Sequence, residues 1–132
     1  EARRRDDDGD EDEKDKEGEE EEEEMLLLLR RKNNLGRTPL HVASMLGNSR
    51  ACAALVKAFR ERKLSLDVKD AYKLTPLHLA CMGGHRNVIE ELLPREGTAG
   101  AKKSVKTREG LDCMQLAVLH GHHDIALLLL SR

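Results

Sequence analysis

The sequence predicts an all-α protein built from three stacked helix–turn–helix repeats. The motif Thr38-Pro39-Leu40-His41 returns 37 residues later as Thr75-Pro76-Leu77-His78, and again, degraded, as Asp112-Cys113-Met114-Gln115. Only 2% of the residues are aromatic, so the core must be built from Leu, Ala, Val, Ile and Met, which suits thin helical layers. A fixed period of tens of residues is typical of proteins in which each unit buries its apolar face against its neighbours.

The amino-terminal segment differs from the rest in charge. Residues 1–29 hold 16 acidic and 5 basic residues, a net charge of −11, whereas residues 30–132 hold 18 basic and 9 acidic residues, a net charge of +9. Residues 1–18 contain too few apolar residues to order themselves, so we expect a disordered acidic tail. Residues 19–32 run from six Glu through Met and four Leu to three basic residues, an order of charges that suits a helix dipole. We expect a short capping helix there, with its leucines packed on the first repeat.

Each repeat is predicted to open with a short helix. A side-chain oxygen caps the first turn, a proline follows where a missing N–H costs nothing, and a glycine ends the helix in the left-handed conformation. By position, the caps are Thr38, Thr75 and Asp112, the prolines are Pro39 and Pro76, and the closing glycines are Gly47, Gly84 and Gly121.

A second helix with an apolar face follows in each repeat. Pro94 closes the second of these helices. The residues expected to point inward are Ala51, Cys52, Leu55 and Val56 in the first repeat, Val88, Ile89, Leu92 and Leu93 in the second, and Ile125, Ala126, Leu129 and Leu130 in the third.

Two of the three copies closely resemble the ankyrin repeat. The residues that carry the resemblance are Gly-Arg-Thr-Pro-Leu-His-Val-Ala at 36–43 with Gly-Asn at 47–48, and Lys-Leu-Thr-Pro-Leu-His-Leu-Ala-Cys at 73–81 with Gly-His at 84–85. The resemblance implies a solenoid with short finger loops and repeats at 33–69, 70–106 and 107–132, the last of them partial and truncated. Because an ankyrin unit usually has about 33 residues, each repeat here carries about four extra, which must lie in a loop. Because residues 125–130 are almost wholly apolar, further repeats in a longer parent chain are expected, with dimerisation or aggregation of this end as the alternatives.

The resemblance also implies a non-catalytic protein-binding module. Proteins of this kind recognise a partner through a concave groove, formed by the finger tips and the exposed face of each first helix. Met45, Met82 and Leu119 are 37 residues apart and are expected to form an apolar ladder along that groove. The residues predicted to bind a partner are Leu35, Arg37, Met45, Leu46, Tyr72, Leu74, Met82, Arg108, Leu111, Leu119 and His120. The other positions that correspond to the recognition positions of such proteins are held by Asn34, Ala71, Gly83 and Glu109.

A basic surface that binds nucleic acid or another polyanion is the alternative function. Phosphates could be held by basic residues of the extended loops, with the acidic tail either regulating that binding or serving only as a solubilising segment. The scarcity of aromatic residues for base stacking argues against nucleic acid. The basic residues concerned are Arg60, Arg62, Lys63, Lys69, Lys102, Lys103, Lys106 and Arg108.

Catalytic and metal-binding signatures are lacking in the sequence. It has no nucleophile elbow, no glycine-rich phosphate loop and no H-E-x-x-H motif, and Cys81 beside His78 or His85 is a weak candidate dyad. His41 and His78 are expected to tie one repeat to the next as neutral rings. His120, His122 and His123 are not spaced as ligands on a zinc helix. We therefore expect no enzyme activity, no cofactor and no metal.

Cysteine usage indicates an intracellular protein. Cys52, Cys81 and Cys113 form neither a C-x-x-C pair nor an even disulfide set, so they are expected to be reduced thiols in the core. No apolar segment is long enough to span a membrane, and the apolar run after Glu24 is too short for a signal peptide. A cytoplasmic or nuclear location is expected.

Overall fold

The computed structural model describes residues 2–95 and 97–132, with the side chains of residues 16–95 and 97–132. This part of the chain contains seven helices and no strand. It divides into two units, residues 1–30 and residues 31–132. None of the helices in the described residues is both long enough and apolar enough to cross a membrane. The prediction of an all-α fold is confirmed.

The first unit is a single helix, α1, spanning Ala2–Arg30. The predicted capping helix over 19–32 lies within it as far as Arg30, and residues 31 and 32 are not helical. The predicted disorder of residues 1–18 falls mostly on residues 1–15, whose side chains lie outside the described residues. The disorder, and the packing of the leucines on the first repeat, stay predictions.

The second unit consists of three pairs of helices. The first helices of the three pairs pack side by side, α2 on α4 and α4 on α6, and α3 packs on α5. The helices of each pair also pack on each other. The bounds are α2 Pro39–Leu46 with α3 Ser49–Glu61, α4 Pro76–Gly83 with α5 Arg86–Leu92, and α6 Cys113–Leu119 with α7 His123–Ser131. This is the predicted stack of helix–turn–helix repeats.

A reciprocal cap opens the first helix of every pair. Thr38 Oγ1 accepts from the His41 N–H, while His41 Nδ1 accepts from the Thr38 N–H at 3.1 Å. Thr75 and His78 repeat this arrangement in α4. In α6 the degraded motif keeps it with different chemistry, because Asp112 Oδ1 accepts from the Gln115 N–H at 2.8 Å and Gln115 Oε1 accepts from the Asp112 N–H at 3.0 Å. The third helix therefore begins at the predicted position.

Glycine ends α2 and α4 as predicted. Gly47 (φ 73°) and Gly84 (φ 70°) are left-handed C-caps. A side chain at Gly47 would also collide with the His85 ring, since a Cβ there would lie 2.5 Å from Nδ1. In α6 the C-cap is His120 and the left-handed Gly121 comes one residue later, so this helix is one residue shorter than α2 and α4.

The core contains nearly all of the residues predicted to point inward. Cys52, Val56 and Ala126 are buried, and Ala51 and Leu55 are half-buried. The other inward residues of α5 and its cap, Val88, Ile89, Leu92 and Leu93, are buried. Those of α7, Ile125 and Leu129, are buried as well. Leu130 is the exception. It was predicted to be inward but is exposed, because no element of the described chain packs over the outer face of α7.

Candidate functional site

Three equivalent turns form the tips of the predicted fingers. Each begins with a polar side chain, Asn33, Asp70 or Thr107, at the same 37-residue spacing as the helices. The side-chain oxygen accepts from the backbone N–H four residues later, at 3.0 Å in the first turn, 2.9 Å in the second and 3.2 Å in the third. The sequence analysis missed these acceptors, although their common spacing is visible once the motif is aligned.

The fingertips are joined to one another by hydrogen bonds. The Ala71 N–H donates to the Leu35 carbonyl at 2.9 Å, which links the first tip to the second. Arg108 Nη2 donates to the Ala71 carbonyl at 3.4 Å, which links the third tip to the second. Gly36 permits the first contact, because a Cβ there would lie 2.9 Å from the Ala71 nitrogen. The tips therefore form a connected row rather than three independent loops.

Arg37 has a structural partner in addition to its predicted role. Its Nε donates to Asp70 Oδ2 at 3.1 Å, and the Asp70 carboxylate is fully buried. The other oxygen of Asp70 accepts from the N–H groups of Tyr72 and Leu74. A second guanidinium nitrogen of Arg37 lies 3.2 Å from the Met45 sulfur. Of the predicted partner-binding residues, Arg37 and Arg108 thus already hold the frame together.

The predicted binding face is mostly accessible and mostly apolar. We use that name for the eleven residues predicted above to bind a partner. Its exposed members are Leu35, Met45, Leu46, Tyr72, Arg108, Leu119 and His120, and its half-buried members are Arg37, Leu74, Met82 and Leu111. The structure thus places all eleven at least partly within reach of a partner, on the fingertips or on the first helices.

Two histidines connect the carboxyl ends of the first helices. His85 Nε2 donates to the Met45 carbonyl at 2.9 Å, and His122 Nε2 donates to the Met82 carbonyl at 3.1 Å. The sequence analysis considered His85 only as part of a weak dyad and His122 only as a metal ligand, and it missed these bonds between repeats. Their rings fix the carbonyls of two ladder residues, so Met45 and Met82 are held by the neighbouring repeat.

The motif histidines are also engaged: His41 ties the first repeat to the second as predicted, whereas the partner of His78 lies in its own repeat, 70–106. His41 Nε2 donates to the Leu74 carbonyl at 3.0 Å, and His78 Nε2 donates to the Val105 carbonyl at 2.7 Å. Nδ1 of each ring accepts from the cap N–H, and this hydrogen-bond pattern requires the proton of each ring to be on Nε2. Neither nitrogen of His78 is left to activate Cys81.

The cysteines are buried and free. Burial raises the pKa of the Cys52 thiol to about 11. The pKa of Cys113 is raised further by its hydrogen bond with Cys81 and by burial. Thiols with raised pKa values are poor nucleophiles because the thiolate is the reactive form. These side chains act as small core residues, as the sequence predicted.

The described side chains form no cluster suited to a metal ion. Within residues 16–95 and 97–132, no three His, Cys, Asp or Glu side chains are grouped as ligands. His122 donates to a backbone carbonyl, and His120 and His123 are exposed.

Two family models match the chain over the region that carries these repeats. A model described as "Ankyrin repeats (3 copies)" matches residues 59–132, and one described as "Ankyrin repeat" matches residues 35–69. No curated protein matches the chain. The larger match covers more than half of the sequence and includes the degraded third copy. Together with the three equivalent helix pairs, turns and caps, these matches show that the chain belongs to the ankyrin-repeat family.

Proposed function

We propose that this chain is a non-catalytic adaptor that binds a partner protein across the predicted binding face. Ankyrin repeats are a general protein–protein interaction module. The observation that carries the proposal is a set of exposed apolar side chains on a connected frame, with Leu35 and Tyr72 on the fingertips and Met45 and Leu119 at the ends of α2 and α6. Tyr and Met are residues that protein interfaces favour.

The rigidity of the frame supports the same proposal. The turns are bonded to one another, and histidines of the second and third repeats hold Met45 and Met82 by their carbonyls. A surface that is ordered before binding loses less conformational entropy when a partner docks. The partner we propose is a folded or extended polypeptide that offers apolar side chains to this face.

The structure allows a matched test of the face. Leu46 and Leu119 lie on it with relative exposures of 68% and 69%, whereas Leu127 and Leu130 lie on α7 with 68% each. Two double variants can therefore be compared that introduce the same charge change at equal exposure: Leu46→Glu/Leu119→Glu and Leu127→Glu/Leu130→Glu. Proteins captured from cell extract should be lost with the first variant and kept with the second, as measured by quantitative mass spectrometry. Circular dichroism checks that both variants fold.

A Met45/Met82/Leu119 triple charge substitution extends the test to the ladder. The parent chain, the triple variant and Leu46→Glu/Leu119→Glu are compared for the proteins they capture. If both variants capture the same proteins as the parent chain, the binding-face assignment is wrong. Capture that persists as salt is raised supports apolar recognition of a protein. Capture that collapses steeply with salt indicates the polyanion alternative instead.

The buried free thiols are consistent with the proposed cytoplasmic or nuclear location, because thiols stay reduced in those compartments.

A further inference from the structure

A cavity of about 550 Å³ lies between two connections of the repeat unit. One wall comes from the end of α3 and the residues after it, Arg60 and 63–67, and the other from residues 98–100 with Lys102. This volume is in the range of small-ligand pockets, about 300–1,000 Å³. None of the eleven residues of the predicted binding face lines the cavity.

The walls of the cavity are bonded to each other. Arg60 Nε donates to the Ala99 carbonyl at 2.7 Å, and the Lys102 N–H donates to Asp67 Oδ1 at 2.9 Å. Between these points, the N–H of the buried Ala101 donates to the Leu92 carbonyl at 2.8 Å. The second connection is thus fixed to α3, to α5 and to the first connection, so the cavity is formed before any ligand binds.

The charges around the cavity are unbalanced. Among the described residues that line it are three cationic side chains, Arg60, Lys63 and Lys102, and one carboxylate, that of Asp67. In the described part of the chain, none of the three cations takes part in an ion pair. Arg60 Nη2 is shielded from solvent and has no hydrogen-bond partner among the described residues. A half-buried guanidinium without a counter-anion is unfavourable, and an anion in the cavity would lower that cost.

We infer that this cavity binds a small organic phosphate. The phosphate group would lie among Arg60, Lys63 and Lys102, since guanidinium and ammonium groups are the usual protein partners of phosphate. Leu64 and Ala99 also line the cavity and would contact an apolar body attached to the phosphate. The limited volume favours a small molecule over a nucleic-acid backbone. This site is independent of the proposed protein-binding face.

Amide chemical shifts measured by NMR test the proposal with two probes, phenyl phosphate and inorganic phosphate, at about 0.15 M salt. Phenyl phosphate should shift amides concentrated in residues 60–67 and 98–102 and should bind more tightly than inorganic phosphate, because only the ester can use the apolar wall. Lys63→Gln/Lys102→Gln should weaken phenyl phosphate binding by at least about tenfold. Lys57→Gln/Lys106→Gln is the matched control, since both lysines are exposed, lie outside the cavity and give the same charge change.

Several results would overturn the inference. Equal weakening by the two double variants would mean that only net charge matters. Shifts spread over all the basic loops, or no saturable binding of either phosphate probe, would mean that there is no built site. Preferential binding of a short DNA duplex that displaces phenyl phosphate would assign the basic residues to a polyanion surface. Loss of the protein partner in Leu46→Glu/Leu119→Glu bears on the binding face alone.

Discussion

Single side chains carry much of the coupling between neighbouring repeats. His41 closes its own helix cap through Nδ1 and reaches Leu74 through Nε2, so one neutral ring joins local and tertiary structure. Protonation would remove the acceptor at Nδ1. Burial lowers the pKa of His41, although the Leu74 carbonyl and the Asp70 carboxylate oppose that shift. The folded state therefore prefers the neutral ring.

The free energy of unfolding should fall in acid partly because of His41. Its pKa in the folded chain lies below the ordinary value of 6.5, so the unfolded chain binds the proton more strongly. The stabilisation is present above pH 6.5 and is lost as the pH falls through that value towards the folded pKa. His41→Gln removes the titration but keeps the reciprocal cap, as Gln115 does in the third repeat. Near neutral pH the free energy of unfolding of this variant should be lower by about 1 kcal/mol, because the hydrogen bond to the Leu74 carbonyl is lost.

Urea unfolding of both proteins at about pH 7.5 and about pH 5.5 measures this effect, with the two values placed on either side of the ordinary histidine pKa. The parent chain should lose more stability between the two values than His41→Gln does. Comparing the two proteins cancels the titration of the other histidines. Parallel losses would show that His41 does not contribute to the acid sensitivity.

The cap and motif residues could be predicted from the sequence, whereas the inter-repeat contacts could be predicted only in part. Thr38 and Pro39 act within one turn of helix, so their roles follow from local rules. The bonds from His85 and His122 reach residues 40 positions earlier. That geometry depends on how two repeats pack, which local rules do not contain.

At the scale of elements, α6 and α7 differ from the earlier helix pairs in what covers them. Met114 and Val118 are exposed, whereas their equivalents Leu77 and Cys81 are completely buried. Leu130 is 68% exposed, and its equivalent Leu93 is 1% exposed. The 37-residue pattern predicts the same inward position for both leucines, because sequence periodicity cannot show whether another element packs on the last pair.

Lysine substitutions at these equivalent leucines should have very different effects on stability. Leu130→Lys should change the free energy of unfolding by no more than about 0.5 kcal/mol, as is usual for exposed positions. Leu93→Lys should cost about 4 kcal/mol or more, because it buries an unpaired charge. Chemical denaturation of the two variants checks this difference. A large loss in Leu130→Lys would mean that the outer face of α7 is covered in solution.

The repeat unit as a whole should behave as a linear chain of coupled repeats. Histidine bonds tie the first repeat to the second through His41 and His85, and His122 ties the third to the second. The middle repeat therefore takes part in both interfaces. In such proteins the stability is approximately a sum of repeat terms and nearest-neighbour terms, so the position of a defect should determine how far its effect spreads.

Hydrogen exchange of two alanine variants tests this dependence on position. Leu77 in the middle repeat and Ile125 in the last are both completely buried, and each truncation should cost about 2–5 kcal/mol. Leu77→Ala should reduce amide protection in α2 and α6 as well as α4, because both interfaces lose a stable partner. Ile125→Ala should reduce protection mainly in α6 and α7, leaving α2 protected. If α2 kept its protection in Leu77→Ala, or lost it equally in Ile125→Ala, nearest-neighbour coupling would not describe this stack.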